Sequence, residues 1–396
     1  MVALEDLYDA YFDCRRHKRK TINALAFEIG YEQYLDILCD EINNRTYEIG
    51  KSICFVVRRP KLREVFAADF RDRVVHHYII GRLMPLFEDE FITDTYSCRV
   101  GKSVLYGLHR LQDKIKTATN DYTEDLYVAK FDCQGFFMSI NRNILWDKLR
   151  VFIAEKYEGD DKDDILWLTE KVVLHKPQEN CIRKGRLSDW DELPKNKSLF
   201  TCSPDCGLPI GNLTSQVFAN FYLTDFDKWA QERFNGLYGR YVDDFYVLAK
   251  TKEEILDSIA PMKEKLAEIG VTLHPKKIYL QHFSKGIKFT GGVCKFDRLY
   301  LNKSTAYNFK KCIEELNAIE DKEANVDMAL SRLNSYLGLC LPYNSYGLKI
   351  NIIKQLGNEW YKYICLKCGC RKFCKRKKND KKIRKKRRFR PRAKNQ

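Results

Sequence analysis

In the stretch GRYVDDFYVLAK, Gly239 to Lys250, two adjacent aspartates, Asp243 and Asp244, interrupt a run whose other members read as a buried β-strand. Side chains alternate between the faces of a sheet, so consecutive carboxylates inside a strand would face both sides of it. Each would then be a buried, unpaired charge at a cost on the order of several kcal/mol. A chain reversal at Val242-Asp243-Asp244 avoids that cost by placing both carboxylates at a hairpin tip. The pair therefore predicts a sheet whose hairpin presents oxygens to one side. A solvated turn with two acids is the plain alternative; a rigid ligand platform for a hard divalent cation such as Mg²⁺ is the functional one.

A second acid changes the balance. LYVAKFDCQGFF, Leu126 to Phe137, is a β-type run ending at Asp132, with a polar break at Asp132 to Gly135 and a helical pattern beyond it. If the two strands are neighbours, Asp132 and Asp243 can share two metal ions about 3.5–4 Å apart, an arrangement that clamps the attacking 3′-hydroxyl and the leaving pyrophosphate of nucleotidyl transfer.

The rest of the chain supplies a body for such a site. Apolar residues three and four apart predict amphipathic helices in the first fifty residues and again in RDRVVHHYIIGRLMPLFEDEF. KSICFVVRRPKLREVFAADF predicts a hairpin with its turn near Arg59 to Arg63, and CGLPIGNLTSQVFANFYLTDFDKWAQERF a long helix with Phe218, Phe221, Tyr222 and Phe226 facing the core. A helix feeds a strand in EEILDSIAPMKEKLAEIGVTLHPKKIYLQ, short strands surround Gly291 and Gly292, and residues 304–361 read as helical again. With 44% hydrophobic residues the chain can bury a sizeable core, and no apolar run is long enough to span a bilayer.

Charge is distributed unevenly. Of 70 basic and 54 acidic residues, 16 and 1 fall in residues 371–396, leaving 54 and 53 in the rest, so almost the whole formal charge of +16 sits in the tail. A block of this kind cannot bury a core and suits a polyanion. Most of the 15 cysteines sit singly in apolar stretches, as a reducing compartment allows. Only Cys365, Cys368, Cys370 and Cys374 have ligand-like spacing. Four thiolates suffice for a closed zinc site, but the run lacks a second, well-separated ligand pair, so zinc is the weaker reading.

FDCQGFF, GLPIGNLTSQVFAN, RYVDDF, HPKKIYLQ and KFTGG, in this order, resemble the successive palm motifs of reverse transcriptases, over about residues 58–295. CFVVRRPKLREVFAADFRDRVVHHYI, IGNLTSQ and the N-terminal LYDAYFDCRRHKRKTINALAFE are similar in particular to the reverse transcriptases of diversity-generating retroelements. Most reverse transcriptases carry Gln-Gly followed by Ser-Pro in the fourth motif; here Ile210 stands in the Gln place and Gln216 in the Pro place. In that subfamily this form goes with copying that is error-prone at template adenines.

The resemblance implies roles. Asp132, Asp243 and Asp244 would be the catalytic, metal-holding aspartates, with two Mg²⁺ ions, or Mn²⁺ in substitution. Phe137 would be the gate that clashes with a ribonucleotide 2′-hydroxyl, while Phe136 packs. Lys61 and Arg63 would grip the triphosphate; Ile210, Gly211 and Gln216 would shape the pocket of the nascent base pair. An apolar Ile210 removes a hydrogen-bonding restraint, a physical route to lower selectivity. Lys277 matches a lysine proposed to protonate pyrophosphate, with a surface strand lysine as the plain alternative, and Gly291 and Gly292 resemble the primer grip.

The expectation is an α+β right-hand polymerase: fingers and palm in residues 1–295, a helical thumb in 296–364, and a Cys-containing basic tail in 365–396. It would be a cytoplasmic enzyme of a prokaryote or phage, with no membrane association and no length for a sizeable RNase H, integrase or endonuclease domain. Its partners would be an RNA template, a DNA or RNA primer, deoxynucleoside triphosphates, a small basic accessory protein and a structured template RNA. The rival readings are another prokaryotic reverse transcriptase (retron, group II intron-like or phage-defence) and a non-catalytic RNA-binding relative.

Overall fold

The computed structural model describes residues 1–16, 21–58, 61–367 and 369–376. It divides into two compact units, Met1–Phe283 and a second that begins at Ser284. The strands are β1 (Ser52–Val57), β2 (Arg63–Ala67), β3 (Tyr127–Asp132), β4 (Cys181–Lys184), β5 (Tyr238–Tyr241), β6 (Asp244–Ala249), β7 (Tyr279–His282), β8 (Ile287–Phe289), β9 (Gly292–Lys295), β10 (Arg298–Leu301), β11 (Ile364–Lys367) and β12 (Lys372–Lys375). Helices and sheets are interspersed along the chain, the expected α+β class.

The central sheet of the first unit runs β5-β6-β3-β7 and is antiparallel throughout. β6 has neighbours on both edges, and Phe245 to Ala249 are all buried, which is why FYVLA reads as an unbroken apolar run. The sheet is backed by helices whose rings interlock: Phe87 of the helix Phe70–Glu90, Phe152 of Arg142–Lys156 and Phe221 of Leu213–Tyr222 have centroids 5.0–5.3 Å apart. Truncating Phe87, which is fully buried, would cost about 3–5 kcal/mol.

A second, three-stranded sheet, β2-β1-β4, holds the basic hairpin; β1 and β2 pair antiparallel, and β4 joins β1 in parallel. Buried Glu64 of β2 accepts hydrogen bonds from Trp190 Nε1 (2.7 Å), Ser198 Oγ (2.8 Å) and the Leu199 amide (2.7 Å), fastening residues 190–199 to that hairpin. The turn residues Arg59 and Pro60 lie outside the described residues.

One expectation needs correction. The long helix after Gly207 is two helices, Leu213–Tyr222 and Thr224–Arg233, which meet at Leu223. There φ is −96° and ψ 5°, and the amide of Leu223 tightens onto the Asn220 carbonyl at 3.3 Å. Phe218, Phe221, Tyr222 and Phe226 are nonetheless all buried.

In the second unit β8, β9 and β10 form a meander around Gly291 and Gly292. The helices Lys303–Asn317, Val326–Cys340 and Tyr346–Ile353 follow and enclose a core that includes fully buried Trp360. The sequence reading missed the β11–β12 hairpin. Asn334 ties it down by accepting from the Phe373 amide (2.7 Å) and donating to the Phe373 carbonyl (2.9 Å), as a neighbouring strand would. The tail from residue 377 lies outside the described residues, and among the described residues no helix is long and apolar enough to cross a membrane.

Candidate active site

The hairpin inferred from VDD is present. β5 ends at Tyr241, Val242 and Asp243 form the turn, and Asp244 opens β6 opposite Tyr241. On the other edge of β6, Asp244 is the cross-strand partner of Asp132, the last residue of β3. The two acid-bearing strands are therefore neighbours. Backbone bonds lock the corner: the Cys133 amide donates to the Asp243 carbonyl (3.3 Å) and the His274 amide to the Asp132 carbonyl (2.8 Å).

Like charges brought together this way resist ionisation. Burial first, then the charges of Asp132 and Asp244, push the Asp243 carboxyl up to about 6. Asp244 is raised too, by burial above all; Lys130, Lys61 and Lys277 pull the other way. Lys277 donates to Asp132 Oδ1 at 2.8 Å, so this lysine meets the carboxylate cluster directly.

As they stand, no three His, Cys, Asp or Glu side chains among the described residues are grouped tightly enough to cage a metal ion. A full protein cage is not what Mg²⁺ requires, since it takes one or two carboxylates and completes its shell with water and substrate phosphates. Hard carboxylate oxygens gathered so that Asp243 and Asp244 resist ionisation are a donor set a divalent cation would relieve. Asp132, Asp243 and Asp244 fit such an ion.

The remaining candidates divide between the palm corner and the basic hairpin. Gly135, at φ 58°, starts the short helix Phe136–Ser139, and a Cβ there would lie 2.8 Å from the Asn196 carbonyl oxygen. This turn buries Phe136 and leaves Phe137 half-buried, edge-on to it at 5.8 Å, five residues beyond Asp132. Ile210 packs with Cys54, Phe66, Met138 and Leu199, and its carbonyl accepts from the Phe66 amide at 2.8 Å. Gly211 stands at φ 129°, where a Cβ would lie 2.8 Å from the Phe66 carbonyl oxygen. These two residues thus dock the loop before the helix Leu213–Tyr222 against β2. Gln216 is exposed and accepts from Cys98 Sγ at 3.3 Å. Lys61 and Arg63 are exposed on the basic hairpin, Lys61 near enough for its charge to act on Asp244.

The sequence reading missed what lies behind the aspartates. Residues 94–98, DTYSC, run beside β5: the Arg240 amide donates to the Asp94 carbonyl (2.9 Å) and the Tyr96 amide to the Arg240 carbonyl (3.0 Å). Arg240 itself is completely buried against Asp227. An arginine inside the run GRYVDDF was the available signal, since a buried guanidinium demands a buried partner. The partner lies 13 residues away, on the preceding helix Thr224–Arg233, a pairing that periodicity does not reveal.

The cysteine run is resolved in part. Cys365 and Cys374 are direct cross-strand partners on β11 and β12, Cys370 lies in the connecting turn at φ 66°, and Cys368 lies outside the described residues.

With this geometry in view, the matches to known proteins are specific. The family model described as reverse transcriptase (RNA-dependent DNA polymerase) matches residues 58–294. The Escherichia coli (strain K12) protein YkfC is 21% identical over 293 residues, covering 65% of this chain and 70% of its own length. Among solved structures, telomerase from Candida albicans in complex with a fragment of telomeric RNA aligns with TM-score 0.44 and 12% identity over 84% of this chain. Apo telomerase from Candida tropicalis, truncated at its C-terminal domain, aligns with TM-score 0.44 and 12% identity over 68%. The alignments span 60% of each telomerase chain.

Proposed function

The chain belongs to the reverse transcriptase (RNA-dependent DNA polymerase) family, and from that premise we propose that it copies an RNA template into DNA by adding deoxynucleotides to a DNA or RNA primer. The observation that carries this reading is Asp132 lying opposite Asp244 on adjacent strands, inside the matched span, with Asp243 in the turn that leads from β5 into β6. Asp132, Asp243 and Asp244 would hold two Mg²⁺ ions. When bound, these supply Lewis-acid activation of the 3′-hydroxyl and neutralise charge on the departing pyrophosphate.

The chain's own residues do the rest. Lys61 and Arg63 neutralise the triphosphate from the basic hairpin, where charge-assisted contacts are strongest. Phe137 bars a 2′-hydroxyl and so selects deoxyribonucleotides. Lys277, held on Asp132, is within the cluster and available to give a proton to pyrophosphate. Ile210 and Gln216 shape the pocket of the nascent base pair, with Gly211 keeping the loop close to β2.

The subfamily reading rests on IGNLTSQ, residues 210–216: a diversity-generating retroelement enzyme with adenine-directed errors, served by an accessory protein and a structured template RNA. The deciding experiment sequences DNA made by the purified protein on a primed, defined RNA with Mg²⁺, with Asp243→Ala in parallel. Product with errors concentrated opposite adenine, absent from the variant, is the expected result. Accurate product would keep the polymerase but assign it to a retron, group II intron-like or phage-defence setting. Synthesis unaffected by Asp243→Ala would sink the assigned site, and RNA binding without synthesis, with the partner RNA and protein supplied, would favour the non-catalytic relative.

A further inference from the structure

The turn that carries the aspartates is strained. Val242 has φ 59°, a left-handed conformation that a two-residue hairpin of this pattern normally gives to glycine and that a β-branched side chain adopts at a cost of about 1–3 kcal/mol. Left to itself, such a turn would relax and carry Asp243 and Asp244 with it. Both polar groups of the Val242 backbone are instead held from behind. Its amide donates to Ser97 Oγ at 3.2 Å, and its carbonyl accepts from Arg240 at 2.7 Å.

These two holders belong to one buried network. The Arg240 guanidinium grips Asp227 through two bonds, Nε to Oδ1 at 2.7 Å and an Nη to Oδ2 at 2.5 Å, and also donates to the Asn220 carbonyl at 3.2 Å. Asp227 is fixed in turn by Tyr238 Oη (2.6 Å) and Thr95 Oγ1 (3.1 Å). Ser97 Oγ donates to Asn220 Oδ1 at 2.8 Å, and Asn220 Nδ2 donates to the Ser97 carbonyl at 2.7 Å. Arg240, Asp227, Asn220 and Ser97 are each no more than 2% exposed. A buried ion pair is weak grounds for stability, because desolvation offsets most of its attraction. Its geometric rigidity is the better account of its presence, since a planar guanidinium fixes several acceptors at once.

We propose that Arg240, clamped by Asp227, is a positioning residue for nucleotidyl transfer: with Ser97 it holds the strained Val242 turn and so sets where the Asp243 and Asp244 carboxylates meet their metal ions. This rests on the polymerase reading and adds to it residues that touch neither metal nor substrate.

The test uses the full chain with Arg240→Lys, which keeps the charge but loses the fork, and Ser97→Ala, which removes only the hydroxyl that accepts from the turn. Ser97→Ala carries the test if the buried lysine prevents folding. Arg82→Lys, which disturbs an ion pair between the helix Phe70–Glu90 and Asp161 at the start of the helix Lys162–Leu174, controls for general loss of stability. Mn²⁺ affinity is measured by electron paramagnetic resonance of unbound Mn²⁺, independently of turnover. The expected result is affinity weakened about 10–100-fold in Arg240→Lys and in the same direction in Ser97→Ala. Turnover should fall about 10²-fold in Arg240→Lys with nucleotide KM little changed, and Arg82→Lys should keep the wild-type Mn²⁺ affinity. Wild-type Mn²⁺ affinity in the foldable variants, or an equal loss in Arg82→Lys, would overturn the proposal. A wild-type protein that binds Mn²⁺ but makes no DNA would instead sink the polymerase reading, while the affinity comparison still decides the positioning role.

Discussion

Asp243 and Asp244 stand on a hairpin whose turn is gripped from behind by Ser97 and Arg240 and whose strand is central to a four-stranded sheet. Lys61 and Arg63 stand exposed on a hairpin whose strand β2 is the edge of a three-stranded sheet. The carboxylates must be in place before an ion binds, because any reorganisation at the moment of reaction would raise the barrier. In the proposed role Lys61 and Arg63 would also have to let pyrophosphate leave, which exposed side chains at a sheet edge allow. A polymerase site of this kind is therefore rigid on its acidic side and accessible on its basic side, and Gly211 is where the two sides touch.

The sharpest way to break that contrast is Asp243→Asn. On the rigid side nothing can take the lost ligand's place, so synthesis should fall by at least about 10³-fold, read as primer extension. Stability should not fall with it. The Asp243 pKa is raised in the fold to about 6, so its contribution to stability is lost as the pH rises from about 4 through 6 and the ionised group opposes folding at pH 7.5, a penalty that a neutral amide removes. A variant that is both inactive and unfolded at pH 7.5 would contradict the assigned electrostatics.

Gly211→Ala probes the junction. The added methyl meets the Phe66 carbonyl at 2.8 Å and demands φ 129° of an alanine, a combined strain of about 1–3 kcal/mol. If the strain goes into separating the Gly211 loop from β2, synthesis should drop by about 10-fold to 10²-fold with a lowered Tm. Unchanged turnover and Tm would mean the loop does not need that contact. Arg63→Ala, on the accessible side, should raise the nucleotide KM about 10-fold, as loss of one charge-assisted contact does, with kcat and Tm little altered. A collapse of kcat comparable to that of Asp243→Asn would make the two sides alike and end the contrast.

How much of this was legible in the sequence follows the same division. Adjacent acids in a β-run have few cheap placements, so the hairpin could be argued from residue order, whereas the pairing of its strand with that of Asp132 stayed conditional until the sheet register supplied it. The Phe136 and Phe137 pair was legible for the same local reason, a turn between a strand and a helix. Long-range polar contacts were not. The Asp227 and Arg240 pair joins a helix to a strand 13 residues on, and Ser97 reaches Val242 across 145 residues, contacts no periodicity encodes. The Cys-containing hairpin was missed because its pairing depends on Asn334 of a helix about forty residues earlier.

A last region lies away from the aspartates and tests whether charge burial alone perturbs this fold. Asp72, in the first turn of the helix Phe70–Glu90, accepts from Tyr47 Oη (2.7 Å) and from the Gly50 amide (3.0 Å), tying the segment before β1 to that helix. Burial, the largest influence, outweighs those two donors and pushes its carboxyl up to about 6. Because the folded pKa is raised, the contribution of Asp72 to stability is complete below about pH 4 and is lost as the pH rises through 6. Asp72→Asn keeps an acceptor for the Gly50 amide and a donor for the tyrosine, without the titration. Its stability should therefore fall less than wild type between pH 4 and 7, by up to about 3 kcal/mol in urea unfolding, while turnover at pH 8 stays the same. An unaltered slope would mean that Asp72 ionises normally, so that the two donors, together with the N-terminal end of the helix, outweigh its burial.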